Sequence, residues 1–261
     1  LGYDGPNPWN DWANSAEGEN GEILSGWRLR NSNKPARIPE EHSETAFMTN
    51  RAMEFIEESK NKPWFLHLSY IKPHWPYMAP APYHNMFSAN EFYPVHRNDA
   101  ERTNDHPVYK AFMENSISKT FSKDEVRNTV LAGYMGLIKQ IDDNLGRLFK
   151  FLESSGHMDD TMIIFTSDHG DYQGDHWLGE KELFHEQSVR VPMIIYDPSD
   201  YANKTRGTKE ERFIEAIDLL PTFLDAIESP ASKHRLEGDS LMPLIKGEST
   251  KYWKEFVFSE I

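Results

Sequence analysis

Apolar side chains return at steps of three and four between Ser122 and Gly156: Val126, Val130, Tyr134, Leu137, Ile141, Leu145, Leu148 and Leu152. That period predicts one long amphipathic helix over 122–156. Ser122 and Glu125 are spaced as a capping box, and Gly156 supplies a C-terminal stop. A second helix is predicted over "HSETAFMTNRAMEFIEESKNK", with Ser43 as its cap and Phe47, Met53 and Ile56 on its apolar side. After the long helix the pattern changes. "TMIIFTS", 161–167, is an apolar run of the kind found in buried parallel strands. "RVPMIIY", 190–196, predicts another strand, with Pro192 near its start, where a missing donor is tolerated. "PWFLHLSY", 63–70, and the terminal "WKEFVFSEI" also read as strands. "EERFIEAIDLLPTFLDAI" reads as helical, with Pro221 giving either a kink or a fresh start.

Between these elements lie loops. "IKPHWPYMAPAPYHNMF" carries too many prolines for the interior of a helix or strand. Residues 84–121 are long and irregular, which predicts either a hidden short helix or a lid. Residues 1–41 read as loop around Trp9, Trp12 and Trp27, with one short strand at "EILSGWRLR". Helix, strand, loop, strand and helix in succession predict an α/β fold, a mostly parallel sheet flanked by helices. At 261 residues, 38% of them hydrophobic, the chain is long enough for one large core or two smaller ones.

Charge and composition narrow the function. The net charge of −14, with no Lys/Arg block, disfavours nonspecific nucleic-acid binding. No apolar run approaches the roughly 18 residues of a membrane span. The start, "LGYDGPNPWNDW", lacks the basic and apolar regions of a signal peptide. Without cysteine there is no disulfide or thiol chemistry within these residues, yet either redox compartment is open.

The densest chemistry is "TSDHGDYQGDHWLGEK", 166–181. Asp168 and His169 follow an apolar run, at the edge where open parallel sheets bind ligands. A carboxylate and an imidazole side by side suit a divalent metal, and Gly170 lets the backbone turn away. A strand-end Asp capping a turn beside a surface His would give the same letters. Lys181 has the charge to neutralise an oxyanion or a leaving oxygen, or to pair with Glu180 or Glu182. His74, between prolines in "KPHWPY", reads as a general acid or hydrogen-bond donor, or as a half-buried ring against Trp75. His176 and His185 are placed at the mouth of such a site, His67 in a strand, and Arg190 in a pair with Glu186.

These residues carry a resemblance. "FTSDHGDYQGDHWLGEKELFHEQSVRVPMIIYDP" resembles the second metal-binding segment of the sulfatases, within the alkaline phosphatase superfamily. "KPHWPY" resembles that family's "PHxP" segment, and "IEAIDLLPTFLDAI" with "LEGDSLMPLIKGE" resembles the segments that follow its site. The resemblance implies that Asp168 and His169 are metal ligands. It implies that Lys181 contacts the transferred group, and that His74 lies near the ester oxygen and leaving group. His176, at the mouth, is expected to be a further substrate contact. The commonest sulfatase pattern has Asn where His169 stands. That departure points toward the phosphonate monoester and phosphodiester hydrolases, and toward manganese, iron or zinc beside calcium as the one divalent metal.

The family's earlier acidic ligand pair and its "C/S-x-P-x-R" motif, source of the formylglycine nucleophile, do not occur in this sequence. The family also has a "GKWHLG" segment, and this chain begins "LG". The expectation is therefore a partial sulfatase domain, inactive alone: 1–41 continues a missing N-terminal half, 42–235 holds the core, and 236–261 begins a C-terminal region. The activity expected of the complete protein is formylglycine-mediated hydrolysis of sulfate esters, with phosphonate monoesters or phosphodiesters as the alternative. Its partner is a small anionic ester. Nucleic acid and a membrane span are not expected, and a homo-oligomer is left open. A phosphotransferase, or a non-catalytic domain keeping the fold, are the other readings.

Overall fold

The computed structural model describes residues 31–103, 106–231 and 233–260. It divides into two compact units, one of Leu1–Ser154 with Asp171–Leu183, the other of Ser155–Gly170 with Phe184–Ile261. The first unit is built on helices α1 (Glu44–Ser59), α2 (Pro107–Glu114), α3 (Ser116–Phe121) and α4 (Asp124–Ser155). Ser43 caps α1 as the sequence indicates, its side chain accepting from Ala46 N at 3.2 Å. The stripe that α1 buries is Thr45, Ala46, Thr49, Ala52 and Ile56, while Phe47 and Met53 are only half-buried.

Helix α4 follows the predicted period, and Gly156 ends it in the left-handed conformation at φ 79°. Its buried stripe includes two amides that find partners: Gln140 donates to Ser43 Oγ at 2.7 Å and Asn144 to Glu40 Oε1 at 3.0 Å. Its start differs from the expected capping box. Ser122 is helical and gives its hydroxyl to Ser118 O at 2.8 Å, so it closes α3 instead. The irregular stretch 84–121 does hide helices, α2 entered through Pro107 and α3 capped by the Asn115 side chain.

Gly133 and Gly136 lie on the buried side of α4. A Cβ on Gly133 would sit 2.5 Å from the Tyr77 carbonyl oxygen, and one on Gly136 would overlap the Tyr83 carbonyl. The proline-rich segment therefore lies directly on the helix backbone. Tyr77, Ala79, Tyr83, Phe121, Val126, Val130 and Leu137 make the core at this contact. The segment 63–70 alternates exposed and half-buried positions as a strand would, but no partner pairs with it among the described residues.

In the second unit, β1 (Ile163–Thr166) leads through the short α5 (Glu186–Val189) to β2 (Met193–Tyr196). The strands pair antiparallel, Ile163 opposite Tyr196 and Thr166 opposite Met193. This overturns the expected mostly parallel α/β sheet: among the described residues helices dominate, and the sheet has two antiparallel strands. Phe165 and Ile194 are exposed, so the unbroken apolar runs reported neither strand direction nor burial on both faces. Helix α6 (Leu219–Ala226) opens with Pro221 in its first turn, the fresh start rather than the kink. After α7 (Met242–Ile245), the expected terminal strand forms no ladder among the described residues, and Lys254 anchors it to Asp218 (2.8 Å) and Glu215 (2.8 Å). "EILSGWRLR" and the early tryptophans lie outside the described residues. No helix among the described residues is long and apolar enough to cross a membrane.

Glycine-to-alanine changes within α4 should split in sign. Gly146 has nothing within 4 Å of a built Cβ, so Gly146→Ala should stabilise by about 0.8–1 kcal/mol through helix propensity. Gly136→Ala should instead destabilise by about 1–3 kcal/mol, because overpacking outweighs the same gain. Urea unfolding of both variants checks this; equal effects would remove the close-contact account of α4.

Candidate active site

In the second unit the chain leaves β1 at Thr166 and turns through Ser167, Asp168 and His169. Ser167 Oγ donates to His169 O at 2.8 Å, and His169 N donates to Asp168 Oδ1 at 3.0 Å. Gly170 N then donates to Ser188 O at 2.7 Å. A Cβ on Gly170 would overlap the Gln187 carbonyl oxygen, so this approach needs glycine for space. His169 Nδ1 lies 2.7 Å from Gly170 O. A carbonyl only accepts, so Nδ1 carries the proton and Nε2 presents a lone pair.

That Nε2 is 3.5 Å from Asp168 Oδ2, and the side chains are 31% and 84% exposed respectively. An accessible carboxylate and a nitrogen lone pair on adjacent residues fit two positions of a divalent-metal sphere. Among the described residues no group of three or more His, Cys, Asp or Glu forms a metal cluster. The donor chemistry fits a metal, and a complete shell needs further donors.

In the first unit, the loop after Tyr70 is held by Lys72, whose Nζ donates to His74 O at 3.2 Å and Pro76 O at 3.0 Å. His74 Nδ1 lies 2.8 Å from Trp75 O, so again Nδ1 carries the proton and Nε2 accepts. Lys181 Nζ is 3.4 Å from that Nε2. Two residues far apart in sequence thus meet with the ammonium as donor and the imidazole as acceptor, on the exposed side of the unit.

Lys181 is carried by a loop that closes on itself. Tyr172 N donates to Glu180 O at 2.7 Å and Gly174 N to Leu178 O at 2.9 Å. Tyr172 and Leu178 are buried with Tyr109 beneath it. His176 belongs to this underside. It is 8% exposed, its Nδ1 lies 2.7 Å from Glu101 Oε1, and its backbone N donates to His96 O at 2.8 Å. The ring ties the loop to the segment at 96–101. Beside it, Trp177 lies under the guanidinium groups of Arg97 and Arg102, 4.3 and 4.7 Å from the ring centre.

In the second unit His185 begins α5, and Arg190 pairs with Glu186 at 3.2 Å as expected. His67 lies exposed in the extended segment 63–70. Sequence reasoning passed over Tyr77, whose hydroxyl donates to Asp171 Oδ2 at 2.6 Å. Burial first, and the Asp171 carboxylate second, push this phenol well above the usual tyrosine range. The signal available was an aromatic three residues after His74 and an acid two residues after His169; their pairing across the chain was not.

A family model described as Sulfatase matches residues 7–229. The chain is 38% identical, over 88% of its length and 48% of the relative's, to the multifunctional alkaline phosphatase superfamily protein PehA of Trinickia caryophylli. It is 29% identical to an arylsulfatase of Clostridium perfringens, over 95% of the chain and 52% of that relative. Among solved structures it is similar to the phosphonate monoester hydrolase SpPMH from Silicibacter pomeroyi. The TM-score is 0.80 at 30% identity, covering 97% of this chain and 50% of that one. The chain thus spans about half the length of the curated relatives it matches.

Glu180 generates a pH prediction. Burial, then Glu182 and Asp171, raise its carboxyl above the usual range, with Lys181 opposing. A folded-state value above the unfolded one favours folding while the group is protonated, and that stability is lost as pH rises through the folded value. Glu180→Gln should therefore raise the thermal midpoint at pH 7, with a gain that shrinks toward about pH 4. A midpoint difference independent of pH would show that Glu180 is not strained by its charge.

Proposed function

The chain belongs to the sulfatase family, and on that premise we propose that the whole protein is a metal-dependent hydrolase of phosphonate monoesters and phosphodiesters. The observation that carries this reading is the likeness to SpPMH across 97% of the chain. The 38% identity to PehA, a multifunctional member of the alkaline phosphatase superfamily, supports it. Sulfate esters, placed first on sequence resemblance, become the second reading, favoured by the likeness to the Clostridium perfringens arylsulfatase.

In this reading Asp168 and His169 hold the metal. A divalent ion there supplies Lewis-acid polarisation of an ester oxygen. The nitrogen donor favours manganese, iron or zinc over calcium, which prefers an all-oxygen shell. Lys181 and His74 bind the anionic group and handle the leaving group's proton. Lys181 Nζ donates to His74 Nε2 across 3.4 Å. As the bond from phosphorus to the leaving oxygen breaks, that oxygen takes the electron pair. A proton reaches it from Lys181 directly, or through His74 Nε2. His176, tied to Glu101, contributes by holding the Lys181 loop rather than by touching the ester. The sequence holds no cysteine, and the formylglycine nucleophile of the family is assigned to residues of the whole protein other than these.

A panel of phenyl phosphonate, a bis-aryl phosphodiester and an aryl sulfate, run on the full-length protein, tests the substrate class. Phosphonate and phosphodiester turnover should exceed sulfate turnover. Efficient sulfate hydrolysis with negligible phosphonate turnover would reverse the assignment. For the metal, Asp168→Ala and His169→Ala should each weaken binding by at least about tenfold, read by elemental analysis after dialysis. Full metal content in both variants would refute the ligand pair.

A further inference from the structure

We propose that Tyr77 and Asp171 are positioning residues, a part-buried hydrogen bond that sets His74 and Lys181 in register. Tyr77 follows His74 by three residues, and Asp171 begins the loop that ends in Lys181. Tyr77 is 2% exposed and packs against Phe121 and Tyr134 in edge-to-face contacts, so its ring has one orientation. Its carbonyl lies on the bare backbone of α4 at Gly133, which fixes the segment beneath His74. Its hydroxyl donates to Asp171 Oδ2 at 2.6 Å, a charge-assisted bond from a buried ring to a half-buried carboxylate.

Asp171 is bound on both oxygens. Oδ1 accepts from Gln173 N at 3.0 Å, which locks the carboxylate to the start of the loop. From there the Tyr172–Glu180 and Gly174–Leu178 backbone bonds carry the fixed geometry to Lys181. The Lys181–His74 contact is longer, 3.4 Å, and sits on the exposed side, where an ammonium on a four-carbon stem has many rotamers. An exposed contact of this kind does not align two segments by itself. The Tyr77–Asp171 bond, anchored by a buried ring, does, and its length and its charge both suit that role.

The inference rests on the proposed roles of His74 and Lys181, and two readouts separate its failure from theirs. The first is structural. In the full-length protein, the ring-nitrogen NMR shifts of His74 should respond to Lys181→Met in the wild-type background and lose that response in Tyr77→Phe. Asp171→Asn, which keeps the shape and removes the charge, should do the same. The second is kinetic, on phenyl phosphonate. Tyr77→Phe and Asp171→Asn should each lower kcat by about tenfold with KM within about twofold, and the double variant should fall no further. An unchanged His74 response in both folded variants overturns the inference, whatever the activity. Kinetic losses that multiply in the double variant also overturn it. Loss of the response, in a protein that hydrolyses none of the three substrates, supports the clamp and sinks the functional reading instead.

Discussion

The first unit depends on a helix face that carries no side chains where another segment must lie. At Gly133 and Gly136 the backbone of α4 is open, and the Tyr77 and Tyr83 carbonyls fill the space. Any Cβ there would lift the proline-rich segment off the helix. That contact seats Tyr77 in the core, and Tyr77 in turn reaches Asp171. Helix propensity favours alanine over glycine by about 1 kcal/mol per site, so close approach here is gained against the local preference of the chain.

A similar device operates in the second unit. Gly170 lies against the Gln187 carbonyl and donates its N–H to Ser188 O. This holds the turn after β1 and leaves Gly170 O as the acceptor for His169 Nδ1. The same tautomer logic appears at His74, whose Nδ1 faces the Trp75 carbonyl. In both histidines a neighbouring main-chain carbonyl accepts a hydrogen bond from Nδ1–H, and Nε2 is left as the working atom. One is suited to a cation and the other accepts from an ammonium.

Much of the helical framework was legible in the sequence. The period of α4, its stop at Gly156 and the Ser43 cap of α1 are local features, and local features are what periodicity and capping rules report. Strand direction and strand pairing are not local. Residues 161–167 and 190–196 were recognisable as strands, yet nothing in their composition distinguishes antiparallel from parallel pairing. The segment 63–70 has the alternation of a strand, and no ladder joins it among the described residues. Ser122 fitted a capping box by spacing, but its hydroxyl had a competing acceptor one turn earlier at Ser118 O. Asp168, His169, His74 and Lys181 stood out by residue type and by resemblance. The Tyr77–Asp171 bond spans 94 positions, and no short motif reports a contact of that separation.

In the proposed reaction His74 and Lys181 act as one proton-handling unit. The most direct test is a double-mutant cycle in the full-length protein, reading kcat on phenyl phosphonate for His74→Ala, Lys181→Ala and the pair. Each single change should lower kcat by about 10²–10⁴-fold, and the double variant should match the more damaged single variant within about threefold. Losses that multiply would show two independent residues and contradict the account.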